Sequence, residues 1–528
     1  MFTAKFLLSS LALLACVVAA PTTAPTATIS DGRVLGISTS LPNAPIPVNK
    51  FLGIPFAKSP PERFAPPTDP VKWTTPLQAT SWKPSCVQQF NYPSDLRAET
   101  MRIFNNPGYP APVESEDCLY LNVYAPSTAA TTSSLPVMVW IFGGNLAFGA
   151  AGVESYDGSS FAANQNVVVV TLNYRTNVFG FSASPELPTG QQNAGFLDQR
   201  KALTWVQTNI QAFGGDPGKV TIFGESAGGL SVKQLVALPP SPLPFRAGIL
   251  ESTGGSFPLN PRDSWNQLVK STGCTNAASR IACVRQVPAT QIKNIIEQNS
   301  IGFGPVEDGI TYTANTRAKF FAKKAADVPL LHGTNSNEGR VFAHLVGIGN
   351  GSPQLSEFLN ATFPSRPDIQ KAILAFYPTD VANIPFELIS QIITDLIFTC
   401  TTSSLTTVAA LNGYDTWRYY YEGVFPNLQV FEDAGAFHAS EIPQVFGNYL
   451  PLGATTQQIG LSRYMQTAWA NFAKNPQKGP GWPKLGSNFG LELGSLGRNA
   501  GSGEVTIPLI SVDAVCAIYA PIIALQPL

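Results

Sequence analysis

Thr221-Ile222-Phe223-Gly224-Glu225-Ser226-Ala227-Gly228-Gly229 contains a G-x-S-x-G pattern, and its surroundings decide the fold. Alone the pattern is weak. At average usage of about 7% for glycine, and a similar share for serine, roughly one chain in five of this length carries it by chance. Context makes it informative. Val220 to Phe223 is a short apolar run suited to a strand, and Ala227 to Ala237 suits a helix. A serine between strand and helix sits on a cramped turn, which needs small flanking residues so that the backbones can approach. Gly224 and Gly228 meet that need. The turn also aims Ser226 at the free N–H groups of a helix start, which favour developing negative charge. The stretch reads as a nucleophile elbow.

Neighbouring segments extend the pattern. Leu135 to Phe142 is an apolar, β-rich run that ends at Gly143-Gly144. Val167 to Asn173 is another, and its unbroken apolar character suits a strand buried on both faces. Leu197, Ala202, Leu203, Val206, Ile210 and Phe213 recur at helical spacing, and Ala247 to Leu250 follows as a further strand. Strands alternating with helices predict an α/β fold: a mostly parallel central sheet with helices on both faces. Its ligand crevice lies at the carboxyl ends of the strands.

Composition sets the bounds. The 528 residues are 44% hydrophobic and 13% charged, enough apolar material for a large core. Lys plus Arg number 33 and Asp plus Glu 34, for a net charge of −1 without long charge runs, which argues against nucleic acid or an anionic membrane as partner. At the N-terminus, Lys5 precedes an apolar run from Phe6 to Val18, followed by Ala19, Ala20 and Pro21. This fits a secretory signal cleaved after Ala19, because the run is short for a membrane span. Residues 20–528 are then a single secreted domain, with no repeat and no long linker after the Thr/Ala/Pro-rich residues 21–28. The C-terminal AVCAIYAPIIALQPL could alternatively serve as a removable lipid-anchor tail.

Cys16 leaves with the signal, so Cys86, Cys118, Cys274, Cys283, Cys400 and Cys516 remain. An even six in a secreted chain favours disulfides over metal binding. Cys274 and Cys283 suit a small local loop, while spacing leaves the other pairs open. The sequons at Asn350 and Asn360 are expected to be glycosylation acceptors on surface loops.

Two longer segments carry a family resemblance. Glu116-Asp-Cys-Leu-Tyr-Leu-Asn-Val123 resembles one signature of the type-B carboxylesterase/lipase family, which includes fungal lipases and cholinesterases. Phe213-Gly-Gly-Asp-Pro217 through Ser226-Ala-Gly228 is similar to the other, and Phe51–Ala57 and Asn337-Glu338-Gly339 match as well. The likeness runs from about residue 28 to the C-terminus. It implies an α/β-hydrolase fold and a serine hydrolase that cleaves carboxylic esters through an acyl-enzyme, with no metal or organic cofactor.

Such an enzyme needs a base for the serine and a carboxylate to orient that base. The chain has three histidines, His332, His344 and His438, and all follow the serine as the fold's order requires. The family's histidine segment resembles Ala436–Pro443 and selects His438. Asp327 and Asp395 remain open as acids on spacing alone, but the Asn-Glu-Gly match selects Glu338, in a loop after an apparent strand Pro329–His332. Ser252 stands where the family has a serine supporting the acid. By position, the oxyanion-hole donors are the N–H groups of Gly144, Asn145 and Ala227. Here the chain departs from the family, which usually has three consecutive glycines where this one has Gly143-Gly144-Asn145. Asparagine keeps the N–H and tolerates unusual backbone angles.

The resemblance further implies the disulfides Cys86–Cys118, Cys274–Cys283 and Cys400–Cys516. In lipases of this family the first encloses a lid, here residues 87–117. Ser94–Asn105 would form a short helix with Leu96, Ile103 and Phe104 on one face, Glu99 and Arg102 away from it, and Arg97 beside the stripe; an ordinary surface helix is the competing reading. Cholinesterases place a tryptophan in this loop to hold a quaternary ammonium. This loop has Phe90, Tyr92, Phe104 and Tyr109 but no Trp, which argues against choline esters. A non-catalytic binding or adhesion protein on the same fold is the rival from another class, and the intact triad positions speak against it. The expected partner is a small-molecule or lipid ester, reached from solution or at a lipid interface, without stable membrane insertion.

Overall fold

The computed structural model describes residues 24–255, 260–348, 355–377, 385–486 and 491–524. The segment read as a signal and the sequon Asn350 lie outside them. Strands β1 (Thr26–Ile29), β2 (Gly32–Leu35) and β5 (Leu77–Gln78) form a small sheet. Among the described residues the main sheet has eleven strands. In chain order they are β3 (Ile37–Thr39), β4 (Val48–Pro55), β6 (Tyr120–Pro126), β7 (Leu135–Ile141), β8 (Val168–Leu172), β9 (Gly215–Glu225), β10 (Ala247–Glu251), β11 (Leu330–Asn335), β12 (Thr416–Tyr421), β13 (Glu492–Leu496) and β14 (Glu504–Pro508). Across the sheet the order is β14-β13-β12-β11-β10-β9-β7-β8-β6-β4-β3.

The sheet is mostly parallel, as expected, but it is mixed, with antiparallel strands at both edges. Pairings from β8 through β7 and β9 to β13 are parallel, whereas β14 and the block β6-β4-β3 run antiparallel. Length of connection accounts for two of the antiparallel pairings. Short links join β3 to β4 and β13 to β14, and short links permit antiparallel pairing, while parallel neighbours need a helical crossover. The helix Ala227–Ala237 is such a crossover between β9 and β10. The centre is dry, as the apolar runs predict: every residue of β8 is buried, and so are Val137 to Ile141 of β7.

Several boundaries differ from expectation. β9 begins at Gly215 rather than Val220, and the preceding helix spans Ala194–Asn209 with a 3-10 turn Ile210–Phe213 after it. β11 continues to Asn335, and Glu338 opens a helix, Glu338–Leu345, instead of lying in a loop. Asn360 is exposed but sits in the helix Leu355–Thr362, not in a loop.

A helical run from Pro385 to Leu411 is long and apolar enough to cross a membrane, yet its most apolar window is 67% buried within the protein, as a core helix would be. Its middle turn, Thr394–Thr399, is π-helical. Disulfides join Cys86 to Cys118, Cys274 to Cys283 and Cys400 to Cys516. The third ties the C-terminal helix Cys516–Ile523 to the long run, and Tyr519 Oη lies 2.8 Å from Tyr377 Oη. Three disulfides suit a secreted or lumenal compartment.

Within the 87–117 loop, the helix Ser94–Phe104 buries Ile103 against Val341, Ala434 and Phe437. Glu99 and Arg102, off the apolar stripe, pair with each other and reach adjoining segments of the protein. Glu99 Oε1 is 2.9 Å from His344 Nε2, and Arg102 donates to Val430 O at 2.6 Å. The helix lies between the Glu338–Leu345 helix and the loop before His438, so its flanks make contacts as well as its apolar stripe.

Candidate active site

The elbow forms where β9 ends. Ser226 has φ 55° and ψ −120°, a strained conformation for a residue with a side chain. Ser226 N–H donates to Glu251 O at 2.9 Å and Leu230 N–H to Ser226 O at 2.8 Å, which holds the turn from both sides. The flanking glycines are required by the neighbouring strand. A Cβ on Gly224 would lie 2.6 Å from the Ile141 carbonyl oxygen of β7, and one on Gly228 would overlap that oxygen. Ser226 is half-buried, and its hydroxyl makes no hydrogen bond among the described residues.

Behind the elbow, Glu338 Oε2 lies 2.7 Å from His438 Nδ1, with both residues buried. Glu338 is the first residue of its helix, where the dipole favours a carboxylate. Its Oε1 accepts from Asn335 N–H at 2.7 Å, and the Thr394 hydroxyl oxygen accepts from Gly339 N–H at 2.9 Å. The imidazole is flanked by two aromatic rings, with centroids at 4.8 Å for Phe398 and 5.1 Å for Phe342. His438 Nε2 is 3.0 Å from Glu225 Oε1, out of line for a hydrogen bond. The histidine is thereby brought against the residue that immediately precedes Ser226.

Three further buried carboxyls surround this pair. Burial, reinforced by Glu338 and Glu251, pushes the Glu225 carboxyl well above its usual range. Glu441 is raised in the same way, by burial and then by Glu225, Glu338 and Glu251. Burial lifts Glu251 to about 8, against the opposing pull of Trp469 Nε1–H, which donates to it at 2.9 Å. Each shift disfavours the charged form, so burial limits the negative charge that these carboxyls place beside the His438–Glu338 pair.

Ser252 does not reach Glu338. Its hydroxyl donates to Glu441 Oε1 at 3.4 Å, so the support expected for the acid goes to a different carboxyl. The loop after β7 does lie against the serine, since a Cβ on Gly143 would sit 3.0 Å from Ser226 Cβ. Gly144 and Asn145 have φ 98° and 56°. Asparagine is among the residues that enter the left-handed region most readily. Among the described residues, the N–H groups of Gly144 and Asn145 have no acceptor, and Ala227, first in its helix, has none within that helix. The Asn145 side chain is exposed.

The other candidates sit elsewhere. His332 is buried within β11, paired in register with Leu250 and Arg418, and burial, Arg418 and Lys233 push it down to about 3. His344 pairs with Glu99 and stacks on Phe431 with centroids 4.1 Å apart. Asp395 accepts from the Tyr377 hydroxyl at 2.8 Å, and burial raises it to about 6. Asp327 is exposed. No group of three His, Cys, Asp or Glu side chains among the described residues is arranged to hold a metal ion. Sequence reasoning passed over Glu225, Asn335, Glu441, Phe342 and Phe398. The first three lie inside or beside the quoted motifs, so motif adjacency was the signal available for them.

The chain's relatives carry the same chemistry in their names. The carboxylesterase family model matches residues 23–496. Rat carboxylesterase 1C is 33% identical over 91% of each chain, and mouse carboxylesterase 1F is 34% identical over 95% of each. Cat carboxylesterase 5A is 33% identical over 91% of this chain and 92% of its own. A family match of that extent, on a strained serine elbow backed by a histidine–carboxylate pair, leads to one conclusion. This chain belongs to the carboxylesterase family and is a carboxylic ester hydrolase.

Proposed function

We propose that Ser226 is the nucleophile, His438 its general base and Glu338 the acid that orients the base, within one secreted domain spanning residues 20–528 after removal of residues 1–19. The observation that carries the reading is the 2.7 Å contact between His438 Nδ1 and Glu338 Oε2, with His438 brought against Glu225, the residue before the strained Ser226. Glu338 holds Nδ1 protonated, which leaves Nε2 free to take the serine proton. Ser226 Oγ then attacks the ester carbonyl. The N–H groups of Gly144, Asn145 and Ala227 stabilise the oxyanion, His438 returns the proton to the departing alcohol, and water releases the acid by the reverse sequence. A hydroxyl–imidazole hydrogen bond, not made here, forms when substrate binds, since catalytic hydrogen bonds commonly tighten only in the complex.

The substrate is a small-molecule or lipid ester. The helix Ser94–Phe104, docked beside the acid helix, fits a lid or rim over the site. Single substitutions test the assignment. Ser226→Ala, His438→Ala and Glu338→Gln each cut kcat by orders of magnitude, and combining them costs little more because the three act as one unit. Normal turnover in His438→Ala, with collapse in His332→Ala or His344→Ala, would sink it.

A further inference from the structure

Asn335 ends β11 and is fully buried. Its backbone N–H donates to Glu338 Oε1, the carboxylate oxygen that His438 does not use. Its side-chain amide donates to Phe437 O at 2.9 Å and to Glu441 Oε2 at 2.5 Å. Phe437 is the residue before His438. Two acceptors at one end of the amide fix Nδ2 there, because only that end can donate. One residue thus touches the acid through its main chain and the base-bearing loop through its side chain. Aspartate could accept but not donate to either partner, and alanine could reach neither.

We propose that Asn335 is a positioning residue for ester hydrolysis, holding the His438 loop in register with Glu338. This rests on the Ser226–His438–Glu338 reading above. The backbone bond to Glu338 survives any non-proline substitution, so a side-chain change releases the histidine loop while leaving the acid in place. The titratable groups facing Asn335 are Glu338 and Glu441, with Glu225 on the far side of His438.

The test uses the whole mature protein, with diethyl 4-nitrophenyl phosphate to count working serines and 4-nitrophenyl acetate for turnover between pH 5 and 9. Asn335→Ala lowers kcat per titrated site about 10- to 100-fold, in line with a misplacement of about 1 Å. KM changes by less than about threefold, because substrate binding is untouched. Where its introduced carboxyl is ionised, Asn335→Asp also moves the acid limb of kcat/KM upward by about one pH unit, since a carboxylate favours the imidazolium. Adding Glu441→Gln to Asn335→Asp re-forms that bond with donor and acceptor exchanged, and so recovers part of the lost kcat.

Unchanged kcat per titrated site and an unmoved pH limb, whatever the yield of folded protein, would overturn the proposal. So would the absence of titratable sites in both single variants, which would assign Asn335 to the fold rather than the site. A wild-type protein whose Ser226 the organophosphate does not label would instead overturn the triad reading, and that outcome is visible before any variant is made.

Discussion

At the scale of single residues, the proposed oxyanion loop lets backbone and side-chain roles be tested apart. Asn145 adopts φ 56° and is exposed, so a change of its side chain leaves its backbone N–H in place. Asn145→Ala keeps that donor and should retain kcat within about tenfold, whereas losing an oxyanion donor costs about 10²–10³. Gly144 is less forgiving. At φ 98° a side chain is strained, and its Cβ would meet the Phe148 carbonyl. Gly144→Ala should therefore lose far more activity than Asn145→Ala. Burst titration on a small activated ester checks both, and a hundredfold loss at full site count in Asn145→Ala would show that the side-chain amide is the donor. That His438 is the histidine lying against Glu338 accords with the motif resemblance. That Ser252 serves Glu441 rather than Glu338 was not legible in the sequence, because spacing along the chain does not say which of four clustered carboxyls a hydroxyl will reach.

At the scale of elements, the π-turn Thr394–Thr399 docks the long helical run onto the start of the acid helix. The Thr394 hydroxyl bonds Gly339 N–H and donates to Ser390 O at 2.9 Å, and a Cβ on Gly339 would collide with Ser390 O. Thr394→Val leaves a buried N–H without its acceptor, a loss of about 1–3 kcal/mol. Its Tm should fall, and kcat should fall several-fold with little change in KM. Equal kcat per titrated site in wild type and variant would show that the turn stabilises the fold without steering Glu338. Helix and strand positions near the elbow were readable from periodicity, and Ala227–Ala237 is the helix that the apolar pattern predicts. The ends were less legible. β11 gains three residues beyond His332 because pairing with β12 through Asn335–Tyr421 continues the ladder past the apolar run.

At the scale of the whole molecule, buried ionisable groups make stability depend on pH. Glu251 titrates at about 8 when folded, against an ordinary value near 4.5. Between those values the folded state binds more protons than the unfolded one, so stability falls as pH rises through the window. Glu251→Gln stays neutral and keeps an acceptor for Trp469. Its Tm should match wild type near pH 5 and exceed it by roughly 2–5 °C at pH 8. Lys233 has the opposite window. Burial lowers it to about 8 from 10.5, so its full cost applies below pH 8 and fades as pH rises toward 10.5. Lys233→Met should therefore be more stable than wild type at pH 7, with the advantage shrinking by pH 10. Calorimetric scans across pH test both, and parallel Tm–pH curves for variant and wild type would contradict the burial of these charges.

The sequence by itself determined the elements of this α/β protein near the elbow, the serine at their junction and the residue types of the site. Those depend on local periodicity, on the backbone freedom of glycine and on motifs a few residues long. Tertiary structure alone decided the antiparallel edges of the sheet, the docking of the 94–104 helix by Glu99 and Arg102, and the gathering of Glu225, Glu251, Glu338 and Glu441 around one histidine. The helix docking and the Glu338–His438 contact join residues a hundred or more positions apart, and whether a carboxyl there is charged depends on burial and on its neighbours, neither of which is written in local sequence.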